Sequence, residues 1–232
     1  MRNSFSLRWF MPVLVLGLTN IAMGAAFSSS NKWATWSNGG YSVENDVWGS
    51  GAGPQTIWAN SFSNWGISTR QNNGGVKSYA HVKKTIGKTT SSLRSCTSSF
   101  NVSLPATGVY NASYDCWVPS EVMVWMSRAG GDNPIAKGYD AHGNAIPSFT
   151  NVNVGGHTFN VYIGGNPRVV SFVRTRNTSS GTVDLKAVLQ HALSNRWISN
   201  GTISNIQFGF EVVSTNNSTQ NLRCNSYSLS FK

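Results

Sequence analysis

Residues Ser120–Ser127 read SEVMVWMS, and the alternation within them decides the fold class. A β-strand turns successive side chains to opposite faces. Val122, Val124 and Met126 therefore share one face, and Glu121, Met123 and Trp125 the other. The first set suits a core between two sheets. The second suits neither a core, which would exclude Glu121, nor an ordinary surface, which would carry Lys, Thr or Ser. A carboxylate, a thioether and an indole on one strand face point to a concave groove.

The same alternation recurs along the chain. From Lys32 onward, runs such as GGYSVENDVWG, GGVKSYAHV, HTFNVYIGG, RVVSFVRT, ISNIQFGFEVV and YSLSF are separated by turn signals, among them NGG, NNGG, VGG and GGNP. One stretch, TVDLKAVLQHALSNRW, departs from this pattern. It places Leu185, Val188, Leu189 and Ala192 at helical spacing, which predicts one short amphipathic helix outside a sheet, with His191 a surface or packing residue. The pattern gives an all-β jelly-roll sandwich of two antiparallel sheets with one short helix and a concave substrate groove.

The chain opens MRNSFSLRWFMPVLVLGLTNIAMGAAFSSS. Arg2 and Arg8, a short apolar run and small residues around Ala22, Gly24 and Ala26 read as a signal peptide over residues 1–26, cut after Gly24 or Ala26. The run is too short to span a bilayer. Residues 27–232 then form one exported domain, expected to be an extracellular monomer with no membrane partner after signal removal. Beyond residue 26 the chain has sixteen basic against eight acidic side chains. The basic residues are scattered and no nucleic-acid motif is present, so nucleic acid is not an expected partner. Cys96, Cys116 and Cys224 allow one disulfide, for which the similar contexts LRSC and LRC favour Cys96–Cys224, with Cys116 a buried thiol. The isolated histidines and the absence of Cys-x-x-Cys predict neither metal nor cofactor.

Eight tryptophans lie beyond residue 26, many among Ser, Asn and Gly, as in NKWATWSNGG and NDVWGSG. Flat indoles beside amides suit sugar rings, whose C–H faces stack while their hydroxyls hydrogen-bond. Hydrolysis of a glycosidic bond with retention needs two carboxyls on either side of it. The chain has three glutamates, and two sit mid-strand opposite apolar faces. Glu121 is one. Glu211, in IQFGFEVV, shares a face with Gln207 and Gly209 while Phe208, Phe210 and Val212 share the other. Glu44, among Ser42 and Asp46, reads as solvated. In SYDCWVPSEVM, Asp115 reaches the side of Glu121 either by continued alternation or by a hairpin about Val118-Pro119 that sets Asp115 opposite Glu121. There it can tune the Glu121 carboxyl.

These residues together resemble glycoside hydrolase family 12, the small jelly-roll endoglucanases. YSVENDVWG is similar to the family's strand ending in Asn-Asn-x-Trp-Gly, VKSYAHV to its Lys-Ser-Tyr strand and ASYDCW to its Tyr-Asp motif. EVMVWMSRAGGDNPIAKG resembles its nucleophile strand and loop, and FGFE its acid/base strand. The resemblance implies that Glu121 is the nucleophile and Glu211 the acid/base, with Asp115 and Met123 in support. It implies a glucan groove formed by Trp33, Trp48 and Trp125, with Pro134 in a loop over it. Asp46 stands where the family has a sugar-contacting Asn, and Val212 where some relatives have Pro. The N-terminal disulfide of many fungal members has no cysteines here, which suggests a bacterial type. The expected activity is a secreted retaining endo-β-1,4-glucanase acting on β-glucan. The rivals are a non-catalytic carbohydrate-binding module on the same sandwich and a hydrolase of xyloglucan or mixed-linkage β-glucan.

Overall fold

The computed structural model describes residues 24–232. The signal peptide expected over residues 1–26 lies, but for its last three residues, outside the described residues. In chain order the strands are β1 (Phe27–Ser29), β2 (Thr35–Asn38), β3 (Tyr41–Glu44), β4 (Gln55–Ser61), β5 (Asn64–Thr69), β6 (Ser78–Thr89), β7 (Cys96–Ser103) and β8 (Val109–Trp117). They continue with β9 (Glu121–Ala129), β10 (Phe149–Val154), β11 (His157–Gly164), β12 (Val169–Arg174) and β13 (Ser180–Asp184). Helix α1 (Leu185–Ser194) precedes β14 (Thr202–Ser214) and β15 (Gln220–Phe231).

They form two stacked sheets, a six-stranded one ordered β1-β4-β5-β15-β7-β13 and a nine-stranded one ordered β10-β11-β12-β9-β8-β14-β6-β3-β2. The alternation in β14 and β9 explains the stacking. Phe208, Phe210 and Val212 of β14 and Val122, Val124 and Met126 of β9 are all fully buried between the sheets. Phe208 stacks on Tyr227 of the opposite sheet with ring centroids 5.5 Å apart, and Phe210 meets Trp65 at 5.3 Å. Truncating one such aromatic to Ala would cost about 3–5 kcal/mol. Gly209, between the two phenylalanines, faces the other way. A Cβ there would lie 2.0 Å from the Ala80 carbonyl oxygen of β6, so only glycine lets these strands approach and curl toward the concave face.

The antiparallel expectation needs one correction. β12 pairs with β9 in parallel, Val169 beside Glu121 and Val173 beside Trp125. The β10–β11 excursion returns the chain to the edge of β9 running in the same direction. The hairpin about Val118-Pro119 forms, but its register differs by two residues from the one expected. Trp117 pairs with Glu121, and Asp115 with Met123. Side-chain parity has period two, so Asp115 still shares a face with Glu121.

The Cys96–Cys224 disulfide is also corrected, since all three cysteines are free and buried. Along β7, Cys96 pairs with Phe231 and Val102 with Cys224. The offset of six residues along β7 holds the two cysteines about 20 Å apart along the strand, at about 3.4 Å per residue. Helix α1 buries Leu185, Val188, Leu189 and Ala192, and the Asp184 carboxylate caps it by accepting from the Ala187 N–H at 2.9 Å. His191 packs edge-on against Phe172 and Trp197, a packing role as expected.

Candidate active site

The concave face of the nine-stranded sheet carries a groove of about 580 Å³. Its floor comes from strand faces turned away from the core. β9 supplies Glu121, Met123 and Trp125, β8 supplies Asp115 and Trp117, β14 supplies Gln207 and Glu211, and β6 supplies Tyr79. Asp46 and Trp48, just beyond β3, and Trp33, just before β2, line one end. Asn133 and Ile135, from the segment after β9, line the wall.

The aromatics divide into two kinds. Trp33 (64% exposed), Trp48 (52%) and Trp117 (39%) offer open ring faces, whereas Trp125 is 2% exposed. Trp125 is held from below in a small apolar cluster with Met123, Ala136, Tyr162, Val169 and Val173, so it shapes the floor. Pro134 does not line the groove. It is buried, and its neighbours Asn133 and Ile135 present their side chains instead.

The carboxyls are distinguished by their surroundings. Burial raises the pKa of Glu121 from its ordinary value. Glu211 is pushed up to about 8 by burial, by the charge of Asp132 and by that of Glu121, against a hydrogen bond from Asn111. Asp115 is 4% exposed. Burial, then the charges of Glu121 and Glu211, hold it well above the usual range. The Ser113 hydroxyl approaches Asp115 at 3.5 Å, and the Tyr79 hydroxyl donates to the Ser113 carbonyl at 3.1 Å. Glu211, at about 8, therefore retains its proton at neutral pH.

Glu44 is not solvated, contrary to expectation. The pairing of β3 with β6 sets it beside His81, with His81 Nε2 3.5 Å from its carboxylate and Lys83 on its other oxygen. Burial alone would raise its pKa, yet hydrogen bonds to His81 and Lys83, and their charges, hold it down at about 2. It is a paired structural anion outside the groove floor. Asp46 adopts the left-handed conformation (φ 42°), which Asp tolerates better than most residues, and its backbone oxygen accepts from the Tyr79 N–H at 3.0 Å.

Several groove residues escaped the sequence reading. Trp117 shares parity with Asp115 and Glu121, so alternation alone could have nominated it, and Gln207, placed on the Glu211 face by the same alternation, had no role assigned. Asn111, four residues before Asp115 on the same strand, donates to Glu211 Oε1 at 3.0 Å. Tyr79 carried no chemical signature. Among the described residues no group of His, Cys, Asp and Glu could hold a metal ion, and no helix is long and apolar enough to cross a membrane.

Comparison with known proteins gives a consistent result. A xyloglucan-specific endo-beta-1,4-glucanase A of Emericella nidulans is 30% identical over 246 residues, covering 95% of this chain and 99% of that protein. Endoglucanase S of Pectobacterium parmentieri is 27% identical over 234 residues, 84% of each chain. Among solved structures, the xyloglucanase domain of NopAA, a type three effector from Sinorhizobium fredii in complex with cellobiose, superposes with a TM-score of 0.86. It is 38% identical, over 90% of this chain and 100% of that one. Residues 39–232 match the family model described as Glycosyl hydrolase family 12, and the chain belongs to that family of glycoside hydrolases.

Proposed function

We propose that this chain is a secreted endo-β-1,4-glucanase that cleaves internal bonds of β-glucans with retention of configuration, using Glu121 as nucleophile and Glu211 as acid/base. One observation carries this reading. Two glutamates share one aromatic-walled groove, and Glu211, with a pKa near 8, holds a proton at neutral pH. Glu211 gives that proton to the departing glycosidic oxygen as the Glu121 carboxylate attacks the anomeric carbon, forming a glycosyl ester. Esterification removes the Glu121 charge, one of the causes that raise Glu211, so Glu211, having given its proton to the departing oxygen, stays ionised. The ionised Glu211 then takes a proton from water, and that water releases the sugar. Burial and then the charge of Glu121 raise the pKa of Asp115 and favour its protonated form, which can donate a hydrogen bond beside Glu121. Met123 packs beneath the reacting sugar, and no cofactor enters.

Trp33, Trp48, Trp125 and Asp46 serve sugar binding, and Pro134 braces the segment that places Asn133 and Ile135. Residues 27–232 make up the mature, monomeric domain. In support, Phe27 already pairs with Ala59 at the edge of the six-stranded sheet, so cleavage after Gly24 or Ala26 leaves that strand intact. N-terminal sequencing of the exported protein tests this.

The decisive experiment is reducing-end release from soluble β-glucan by Glu121→Gln and Glu211→Gln. Each should lose activity while staying folded. Activity at the native level in either variant would overturn the assignment, and inactivity of the native chain would favour a non-catalytic binding module. Xyloglucan has the same β-1,4-linked glucan backbone, and similar proteins include xyloglucan-specific enzymes as well as an endoglucanase, so it stands beside cellulose derivatives as a candidate substrate. A panel of cellulose derivatives, xyloglucan and mixed-linkage glucan ranks them.

A further inference from the structure

Asp132 is one of only eight acidic residues in the chain, is 5% exposed and has no part in the chemistry just described. It follows the turn that ends β9. Gly130 and Gly131 both take left-handed conformations there (φ 66° and 75°), and the Asp132 N–H returns to the Ala129 carbonyl at 3.3 Å. Arg128 Nη1 donates to the Asp132 backbone oxygen at 2.8 Å, which pins the turn. The Asp132 carboxylate accepts from Asn111 Nδ2 at 2.9 Å, and the same nitrogen donates to Glu211 Oε1 at 3.0 Å. One amide thus spans two carboxyls, and their bonded oxygens lie within about 6 Å of each other. Asn111 is fully buried on β8, so this bridge has little freedom to move.

We propose that Asp132 is a positioning residue for the acid/base, fixing the Glu211 carboxyl through the shared Asn111 amide and keeping it protonated at the start of the reaction. The inference rests on the reading of Glu211 as acid/base. Two buried carboxyls this close do not ionise together, and the one that ionises first raises the other. Burial lifts Asp132 to about 6, against hydrogen bonding from Asn111 and the charge of Arg128, while Glu211 stands at about 8. Asp132 therefore ionises first. The other groups facing Glu211 are Glu121 on β9, Asp115 on β8 and Tyr79, its pairing partner on β6. Lys77, just before β6, is engaged elsewhere, donating to the Ser50 carbonyl at 2.7 Å. None of these is joined to Glu211 by a shared hydrogen-bond donor as Asp132 is.

The test uses carboxyl-carbon NMR on protein with isotopically labelled glutamate. Only Glu44, Glu121 and Glu211 contribute, and Gln variants assign the three signals. In the native chain the Glu211 signal should titrate near pH 8. In Asp132→Asn its midpoint should fall by about 1 pH unit, and the basic limb of kcat/KM on soluble β-glucan should move down by a similar amount. KM should change little. If circular dichroism finds Asp132→Asn unfolded, Asp132→Ser serves in its place. An unmoved Glu211 midpoint in a folded variant overturns the inference. Native-level activity of Glu211→Gln would instead overturn the acid/base assignment, whatever the NMR titration gives.

Discussion

Replacing Glu211 with Gln should remove activity and, at neutral to alkaline pH, stabilise the fold. The sign follows from its proton. The Glu211 pKa rises from 4.5 to about 8 on folding. Below about 4.5 the folded and unfolded chains both hold this proton, and the group adds no pH dependence. Between 4.5 and about 8 the unfolded chain releases it while the folded chain keeps it, so stability falls as pH rises. Above about 8 both are ionised and the cost is constant. At about 1.4 kcal/mol per pH unit the full shift has a ceiling of about 5 kcal/mol. Water in the groove and relaxation around the carboxyl reduce this, so we predict a gain of about 1–3 kcal/mol at pH 9. For a chain of this length that raises Tm by about 2–12 °C. Thermal unfolding of native and Glu211→Gln protein, followed by circular dichroism at intervals from pH 4 to pH 9, measures the difference. It should be near zero at the acid end and grow steadily with pH. A difference that stays flat across that range, or a Gln variant less stable at alkaline pH, would refute the reasoning.

Two further outcomes follow from the groove and the cysteines. Trp117→Ala should lower kcat/KM on long soluble β-glucans by about five- to thirtyfold, the equivalent of about 1–2 kcal/mol of lost stacking. Its effect on Tm should be small, because the ring is partly open to solvent; unchanged kinetics on every glucan in the panel would remove Trp117 from the binding surface. Alkylation of the unfolded, unreduced protein should add three labels, and dithiothreitol should leave Tm unchanged. Recovery of one labelled thiol would mean that a disulfide forms after all.

The alternation in SEVMVWMS and IQFGFEVV determined which side chains lie between the sheets, because strand parity is a local property of the backbone. Val122, Val124, Met126, Phe208, Phe210 and Val212 all fall where that parity places them. The helix over Leu185–Ser194 was legible for the same reason, with a period of 3.6 residues replacing a period of two. Scarcity also helped, since three glutamates leave few ways to assemble a carboxyl pair. Parity does not reveal which strands become neighbours. The parallel β9–β12 pairing, the two-residue difference in hairpin register and the separation of Cys96 from Cys224 each depend on long-range pairing choices. Glu44 was misread for that reason, as its partners His81 and Lys83 arrive on a strand some forty residues away.

The sequence by itself determined the strand faces, the helix over Leu185–Ser194, the family resemblance and which two glutamates share the groove face. The tertiary structure decided their electrostatics. Asn111, Asp132 and Glu211 belong to three segments of the chain, and only the curled sheet brings one amide within hydrogen-bond distance of both carboxyls. Proton affinity depends on burial and on charges a few ångströms away, and those distances exist only once the sheet has closed around them.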